Sequence, residues 1–313
     1  MKLNKIIAQG QKDVPEVIPT GIWRLDQLIG GLYVGHVFTV GARPAMGKTA
    51  FVATLIRNIG VLNKVPLAVL SLQNTEQAMV ERIWAAEFGW GREPLPCQRL
   101  DVETIATVEQ RNAITMLRSI GFEDPIQRKI EFKRLMNEAP VWIEHDYFLT
   151  MDEIVSRMER LKKTNNVKVI MIDGLDMINA GIKNAEQTQA MQKLVHTAER
   201  LKVAMLLTSE LNREVEYRVG NRPALCNLRG GFNTEILTST VMLIFRPEYY
   251  GIQEDEMGST EGKAELIIAK NATGANGSVR VNFVGRSRFE DINYPIPELP
   301  SLMDSGEENL PFD

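Results

Sequence analysis

Cysteine is almost missing from this sequence: of 313 residues only Cys97 and Cys226 carry a thiol, far apart and without CxxC spacing. That excludes a disulfide framework as the basis of the fold. The three histidines are scattered as well, so nothing has the spacing of a zinc site. Both scarcities suit a reducing, cytoplasmic setting. No apolar run approaches the roughly 18–20 residues of a membrane span, and the start "MKLNKIIAQGQKD" lacks the core of a signal peptide. No membrane association is expected. Positive charge is not in excess either, the formal net charge being −4. This weighs against a protein that coats nucleic acid through bulk charge. A local basic lining stays open, because only the charge that faces phosphates counts. Repeats of roughly 20–50 residues and low-complexity tracts are also missing.

What is present is an ordinary globular composition, 44% hydrophobic and 24% charged, in which short β-branched runs alternate with helical patterns. The runs "VFTV", "PLAVLSL", "VWIEH", "VKVIMID", "VAMLLTS", "VMLIF", "AELIIAK" and "SVRVNFV" read as strands. Several are continuously apolar, as strands covered on both faces should be. Between "VKVIMID" and "VAMLLTS", residues Met191, Leu194, Val195, Ala198 and Leu201 form one helical stripe. A strand–helix–strand crossover of this kind implies parallel pairing. The last two strands, joined through "NATGANG", read as an antiparallel edge hairpin. The expected fold is therefore α/β, a mainly parallel twisted sheet with helices on both faces. Residues 1–17 read as an N-terminal arm, 18–291 as one domain, and 292–313 as an acidic, proline-containing flexible tail. The charged segment from about Gly89 to Pro140, with a helix expected over Asp101–Gly121, reads as an excursion on that domain.

The stretch "VFTVGARPAMGKTAF" places a strand, a tight loop and a helix in the layout of a phosphate cradle. Gly41, Ala42, Arg43, Pro44, Ala45, Met46, Gly47, Lys48, Thr49 and Ala50 would form an ATP-binding loop. Within it Lys48 would neutralise the β- and γ-phosphates and the Thr49 hydroxyl would ligate Mg²⁺. Ala42 stands where the general pattern carries glycine, with Gly41 just before it. Asp173, ending the apolar strand "VKVIMID", would hold Mg²⁺ through water.

The form "GARPAMGKTAF" resembles the phosphate loop of replicative hexameric DNA helicases of the DnaB family. The resemblance continues, in the family's order, through "VIPTGIWRLDQLIGGLYVGHVFTV", "VLSLQNTEQAMVERIWA", "VKVIMIDGLDMI", "TSELNREVEYRVGNRPALCNLRG" and "AELIIAKNATGANGSVRVNFVGRSRFED". It runs from about Val17 to Asp291. It implies a RecA-like P-loop NTPase fold, a homo-oligomeric hexameric ring with ATP at subunit interfaces, and single-stranded DNA in the pore. No counterpart of the family's primase-receiving N-terminal collar is expected in residues 1–17.

Three departures bear on turnover. Gln73 stands where the family's second strand ends in the Glu that orients the attacking water; a glutamine hydrogen-bonds water but is no useful base. Lys270 keeps the lysine of the family's Lys-Gln-Arg hairpin, whereas Ala272 replaces its arginine finger. Glu210 replaces a Gln that senses the γ-phosphate. Either the site is rewired, with Glu76 or Glu210 as base, or the chain binds ATP and hydrolyses it slowly, as an ATP-gated scaffold or regulator of a replication helicase. For Glu76 an acid in the first turn of a helix capped by Thr75 is the plainer reading. By the same resemblance Arg229, Gly230 and Gly231 would touch the DNA backbone, with Arg213 and Arg222 on the same loop. The acidic end "DSGEENLPFD" resembles the tip of bacterial single-stranded-DNA-binding proteins, which implies a replication partner.

Overall fold

Each of the eight apolar runs becomes a strand. The computed structural model describes residues 16–88, 125–178, 184–229 and 235–292. Strands β1 (Val17–Ile18) and β2 (Leu32–Tyr33) pair antiparallel around helix α1 (Trp23–Ile29). The main sheet contains β3 (Val37–Ala42), β4 (Leu67–Ser71), β5 (Val141–His145), β6 (Val169–Asp173), β7 (Ala204–Glu210) and β8 (Thr240–Phe245). After a small hairpin, β9 (Glu254–Asp255) with β10 (Gly258–Ser259), it adds β11 (Lys263–Asn271), β12 (Gly277–Val284) and β13 (Arg288–Asp291). The spatial order is β13-β12-β11-β8-β3-β7-β6-β4-β5. Pairings from β8 across to β5 are parallel, and those among β8, β11, β12 and β13 are antiparallel.

Strands β3, β4, β6 and β8 are buried along their whole length because both faces are covered, whereas β5, at the sheet edge, is half-buried throughout. Side-chain alternation divides them between two cores. On β6, Val169 and Met171 join one core and Ile170 and Ile172 the other. The first is closed by helices α2 (Lys48–Leu55) and α3 (Glu76–Phe88), through Phe51, Leu55, Met79 and Ile83. After α4 (Pro125–Asn137), the second is closed by α5 (Met151–Asn165), then, beyond the short α6 (Leu175–Ile178), by α7 (Asn184–Leu201). The expected stripe on α7 faces that core: Met191, Leu194 and Ala198 are buried, with Val195 and Leu201 packed against them. A reciprocal cap between Thr150 and Glu153 starts α5.

The sheet continues one strand past the expected hairpin. In β13, Phe289 is buried between the charged Arg288 and Glu290. Its Asp291 carboxylate accepts hydrogen bonds from the Trp23 and Arg24 amides, at 2.6 and 2.9 Å, at the start of α1. Most of the N-terminal arm, the expected Asp101–Gly121 helix with Cys97, the loop glycines Gly230 and Gly231, and the tail beyond Ile292 lie outside the described residues.

Candidate functional site

Strands β3, β7 and β6 are neighbours and run parallel, so the residues that follow them share one rim of the sheet, where α/β folds place their sites. Two glycines set the packing here, Gly47 in the loop after β3 and Gly41 near the end of β3 itself. Gly47 has φ +105°, and a side-chain carbon there would lie 2.9 Å from Phe289 Cζ and 3.1 Å from Phe283 Cζ. At Gly41 such a carbon would meet Leu211, Leu228 and Leu243, each at 2.9 Å. Ala42, on the opposite face of the strand, is buried in the first core and needs its methyl there. That placement explains the glycine standing one position early. Met46 is buried beneath the loop, whereas Arg43, Pro44, Ala45, Gly47, Lys48, Thr49 and Ala50 line an open cleft of about 1200 Å³ together with Gln73, Glu210 and Arg246.

Lys48 begins α2. Its ammonium donates to the Ala42 carbonyl at 3.0 Å and lies 4.0 Å from Glu210 Oε1. Burial lowers its pKa, against the pull of Glu210, Asp176 and Asp173. Asp173 is buried behind the cleft wall; Thr208 Oγ1 donates to Oδ1 at 2.8 Å and Asn74 Nδ2 to Oδ2 at 3.2 Å. Burial raises its pKa, opposed by those hydrogen bonds and by Lys48. Gln73 lies on the cleft side against Gly174, where an added carbon would come 2.7 Å from its Cγ.

Glu210 is the hub of the rim. Its Oε2 pairs with Arg229 at 3.0 Å, and its backbone amide donates to Asp176 Oδ2 at 2.5 Å. Asp176 also accepts from Ser209 Oγ at 3.0 Å, and burial raises its pKa. The sequence reading did not single out Asp176; its position three residues after Asp173, at the same strand end, was the available signal. Arg246 was missed too, although an arginine directly after the apolar run of β8 falls on this rim. Its guanidinium is buried, donates to the Ala45 carbonyl at 3.1 Å, and lies 4.6 Å from the Phe283 ring centroid. Its Nε has no hydrogen-bond partner.

The other expected residues lie elsewhere. Glu76 is exposed and accepts from the His145 amide at 2.9 Å; backbone donors, its own amide first, hold its pKa low. Thr75 Oγ1 accepts from the Ala78 amide at 3.2 Å, as a cap would. Lys270 pairs across from Val241, which neighbours Thr39 near the start of β3, away from the phosphate-loop end. Its ammonium donates to the carbonyls of Glu235, Ile236 and Thr238 at 2.7, 3.0 and 2.8 Å. In the loop after β7, Arg222 pairs with Glu265 and Arg213 is exposed. Arg43 reaches from the phosphate loop into this same segment, donating to the Leu211 carbonyl at 2.9 Å and pairing with Glu216 at 2.6 Å.

Taken together, a glycine-shaped loop at a helix start, a lysine in the cleft and a buried aspartate behind it have the chemistry that could hold a polyphosphate with a divalent cation. The donor set suits both groups: the Thr49 hydroxyl and the Asp173 carboxylate are hard oxygen ligands, and Lys48 is the point charge for phosphate. Among the described residues no cluster of His, Cys, Asp and Glu could hold a metal on protein ligands alone.

Residues 17–291 match the family DnaB-like helicase C terminal domain. The replicative DNA helicase DnaB of Leifsonia xyli subsp. xyli is 29% identical over 280 residues, covering 88% of this chain and 56% of that protein. DnaB of Geobacillus stearothermophilus is 26% identical over 272 residues, covering 85% of this chain and 54% of that protein. The chain thus spans a little over half the length of these relatives. Among solved structures, one that consists of an ATPase domain superposes with a TM-score of 0.72 at 22% identity, covering 93% of this chain and 97% of that one. A DnaB-like replicative helicase, solved in a study of its interactions with primase, gives a TM-score of 0.72 at 21% identity, covering 93% of this chain and 67% of that one. The fold is that of RecA-like helicase ATPase domains.

Proposed function

The chain belongs to the DnaB-like helicase C terminal domain family, and on that footing we propose that it binds ATP with Mg²⁺ in the rim cleft, acts on single-stranded DNA in replication, and hydrolyses ATP slowly through a rewired carboxylate. The observation that carries this reading is Glu210, lining the cleft 4.0 Å from Lys48. Lys48 and the loop amides bind and orient the phosphates; Arg246 at the cleft wall is paired with Glu248, which lines the same cleft, so its charge is largely balanced there. Thr49 would hold the cation directly and Asp173 through water; the bound cation supplies charge neutralisation at the transferring phosphoryl group.

Gln73 can hold a water by hydrogen bonding but cannot take its proton. The sequence points to two carboxylates, Glu76 and Glu210; Glu81 and Glu248 also line the cleft, Glu248 being paired with Arg246. Glu76 is engaged with the His145 amide and does not line the cleft, so Glu210 is the better placed base. Glu210 is tied to Arg229 and lies 4.0 Å from Lys48, so as a base it is already engaged with other partners. Slow turnover follows from that. Lys270, away from its own phosphate loop, is assigned to a neighbouring subunit in a ring, where it would have to leave the carbonyls of Glu235, Ile236 and Thr238, and Ala272 offers no second cation. Arg213, Arg222 and Arg229 are assigned to the DNA-facing loop, and the acidic tail to a replication partner.

Steady-state ATP hydrolysis, with and without single-stranded DNA, tests the reading beside Lys48→Ala and Gln73→Glu. Weak, DNA-stimulated turnover that Lys48→Ala abolishes and Gln73→Glu raises is expected. Tight ATP binding with no turnover above the Lys48→Ala background would instead make the chain an ATP-gated scaffold.

A further inference from the structure

We propose that Tyr217 is a stacking platform for unpaired nucleotide bases, mounted on a turn that the phosphate loop holds in place. The inference rests on the single-stranded-DNA reading above and adds a contact to bases, where the loop arginines address only phosphates. Tyr217 ends a short 3₁₀ turn, Arg213–Tyr217, whose start is capped by the Asn212 side chain accepting from the Glu214 amide at 3.1 Å. Val215 roots the turn in the core formed with Leu211, Leu228 and Leu243. Glu216, directly before the tyrosine, is clamped by Arg43 at 2.6 Å. The backbone on one side of Tyr217 is thus fixed on three counts, yet the residue is 89% exposed.

An exposed aromatic on an anchored turn loses little backbone freedom when something stacks on it, and its own ring has only two side-chain torsions to fix. Exposed Arg218 follows the tyrosine directly and exposed Arg213 lies four residues before it, with the exposed acids Glu214 and Glu216 between, Glu216 being neutralised by Arg43. Aromatic faces interleaved with cations are the arrangement that holds single strands without sequence preference, since every base has a π-face. A second protein chain fits less well. The apolar surface here is Tyr217 with the fully exposed Val219, set among charges, and falls short of a contiguous hydrophobic patch.

The experiment measures binding of the full chain to a labelled oligo-dT and to an abasic strand of equal length, with a non-hydrolysable ATP analogue present. Wild type, Tyr217→Ala, Tyr217→Phe and Arg229→Ala are compared. Tyr217→Ala should weaken oligo-dT binding by roughly 5- to 150-fold, the worth of one base–aromatic stack, and leave abasic binding unchanged. Tyr217→Phe should keep wild-type affinity, and Arg229→Ala should weaken both strands alike. Equal losses on both strands in Tyr217→Ala, or no loss, would overturn the platform while leaving the DNA reading intact. Wild type binding neither strand would overturn the DNA reading and the platform with it. A change of oligomeric mass in Tyr217→Ala, with base dependence retained as in wild type, would reassign the residue to a contact between copies.

Discussion

Replacing Glu210 by glutamine isolates the charge that the rim cleft places beside its phosphate lysine. Glu210 Oε1 is 4.0 Å from Lys48 Nζ, and a phosphate oxygen hydrogen-bonded to that lysine sits about 2.8 Å from it. The incoming anion therefore lies within about 7 Å of the carboxylate by the sum of those distances. Two like unit charges about 4–7 Å apart repel by about 2–4 kcal/mol at an effective dielectric of 20, and by about 0.6–1 kcal/mol in water. The Glu210 side chain is 29% exposed, which puts the screened repulsion near about 1–2 kcal/mol. Glu210→Gln should therefore tighten ATP by roughly 5- to 30-fold, while ADP, with no third phosphate, gains less. If the carboxylate also accepts the proton of the attacking water, kcat should fall in the same variant by about 10²–10⁴-fold. Equilibrium binding of fluorescent ATP and ADP analogues, beside single-turnover hydrolysis, separates the two effects. An unchanged ATP-to-ADP ratio would refute the electrostatic argument, and an undiminished kcat would refute the assignment of the base.

Two further outcomes follow from the same geometry. Because burial raises the Asp173 carboxyl in the folded chain, the stabilisation from its proton is fully present below the ordinary aspartate value and lost as pH rises through the folded value. The nucleotide-free Asp173→Asn variant should then gain thermal stability over wild type as pH rises from about 4 to 8, while losing Mg²⁺-dependent stabilisation by ATP; a melting-temperature gap constant with pH would contradict this. Gly41→Ala should cost about 1–3 kcal/mol by denaturant titration, through overpacking against three leucines. A neutral Gly41→Ala would mean that those leucines yield, and that the close approach does not set the glycine's position.

Much of this architecture could be read in the chain because its strands are covered on both faces. Continuous apolar runs such as Val169–Asp173 and Thr240–Phe245 have few other folded uses at that length. The strand Arg288–Asp291 escaped because its single buried residue, Phe289, stands between charged neighbours, and four residues carry too little pattern. The seven-residue π-helical turn Ile56–Leu62 that continues the phosphate-loop helix has no sequence signal distinct from an ordinary helix. The phosphate loop was legible because strand, loop and helix are contiguous. The roles of Asp176 and Arg246 were not, since each acquires its neighbours only when separate strand ends meet on one rim. Glu210 was noticed for its charge, but its bond to Arg229, nineteen residues on, belongs to tertiary structure.

Strand β13 carries a consequence for the order in which the molecule can come into being. Phe289 packs under Gly47 and edge-on to Phe51, 5.7 Å between ring centroids, and its amide donates to Thr54 Oγ1 on the phosphate-loop helix at 3.2 Å. Arg288 reaches the carbonyls of Ala86 and Glu87 at the end of α3, and Asp291 holds the start of α1. The floor beneath the loop after β3 is thus made from β13, the last strand among the described residues and far later in the chain. A nascent chain released only through residues 37–55 lacks the Phe289 contacts under Gly47 and against Phe51, and the proposed nucleotide cleft gains that support only once residue 289 has emerged. Fragments ending before Arg288 should leave the loop without its support.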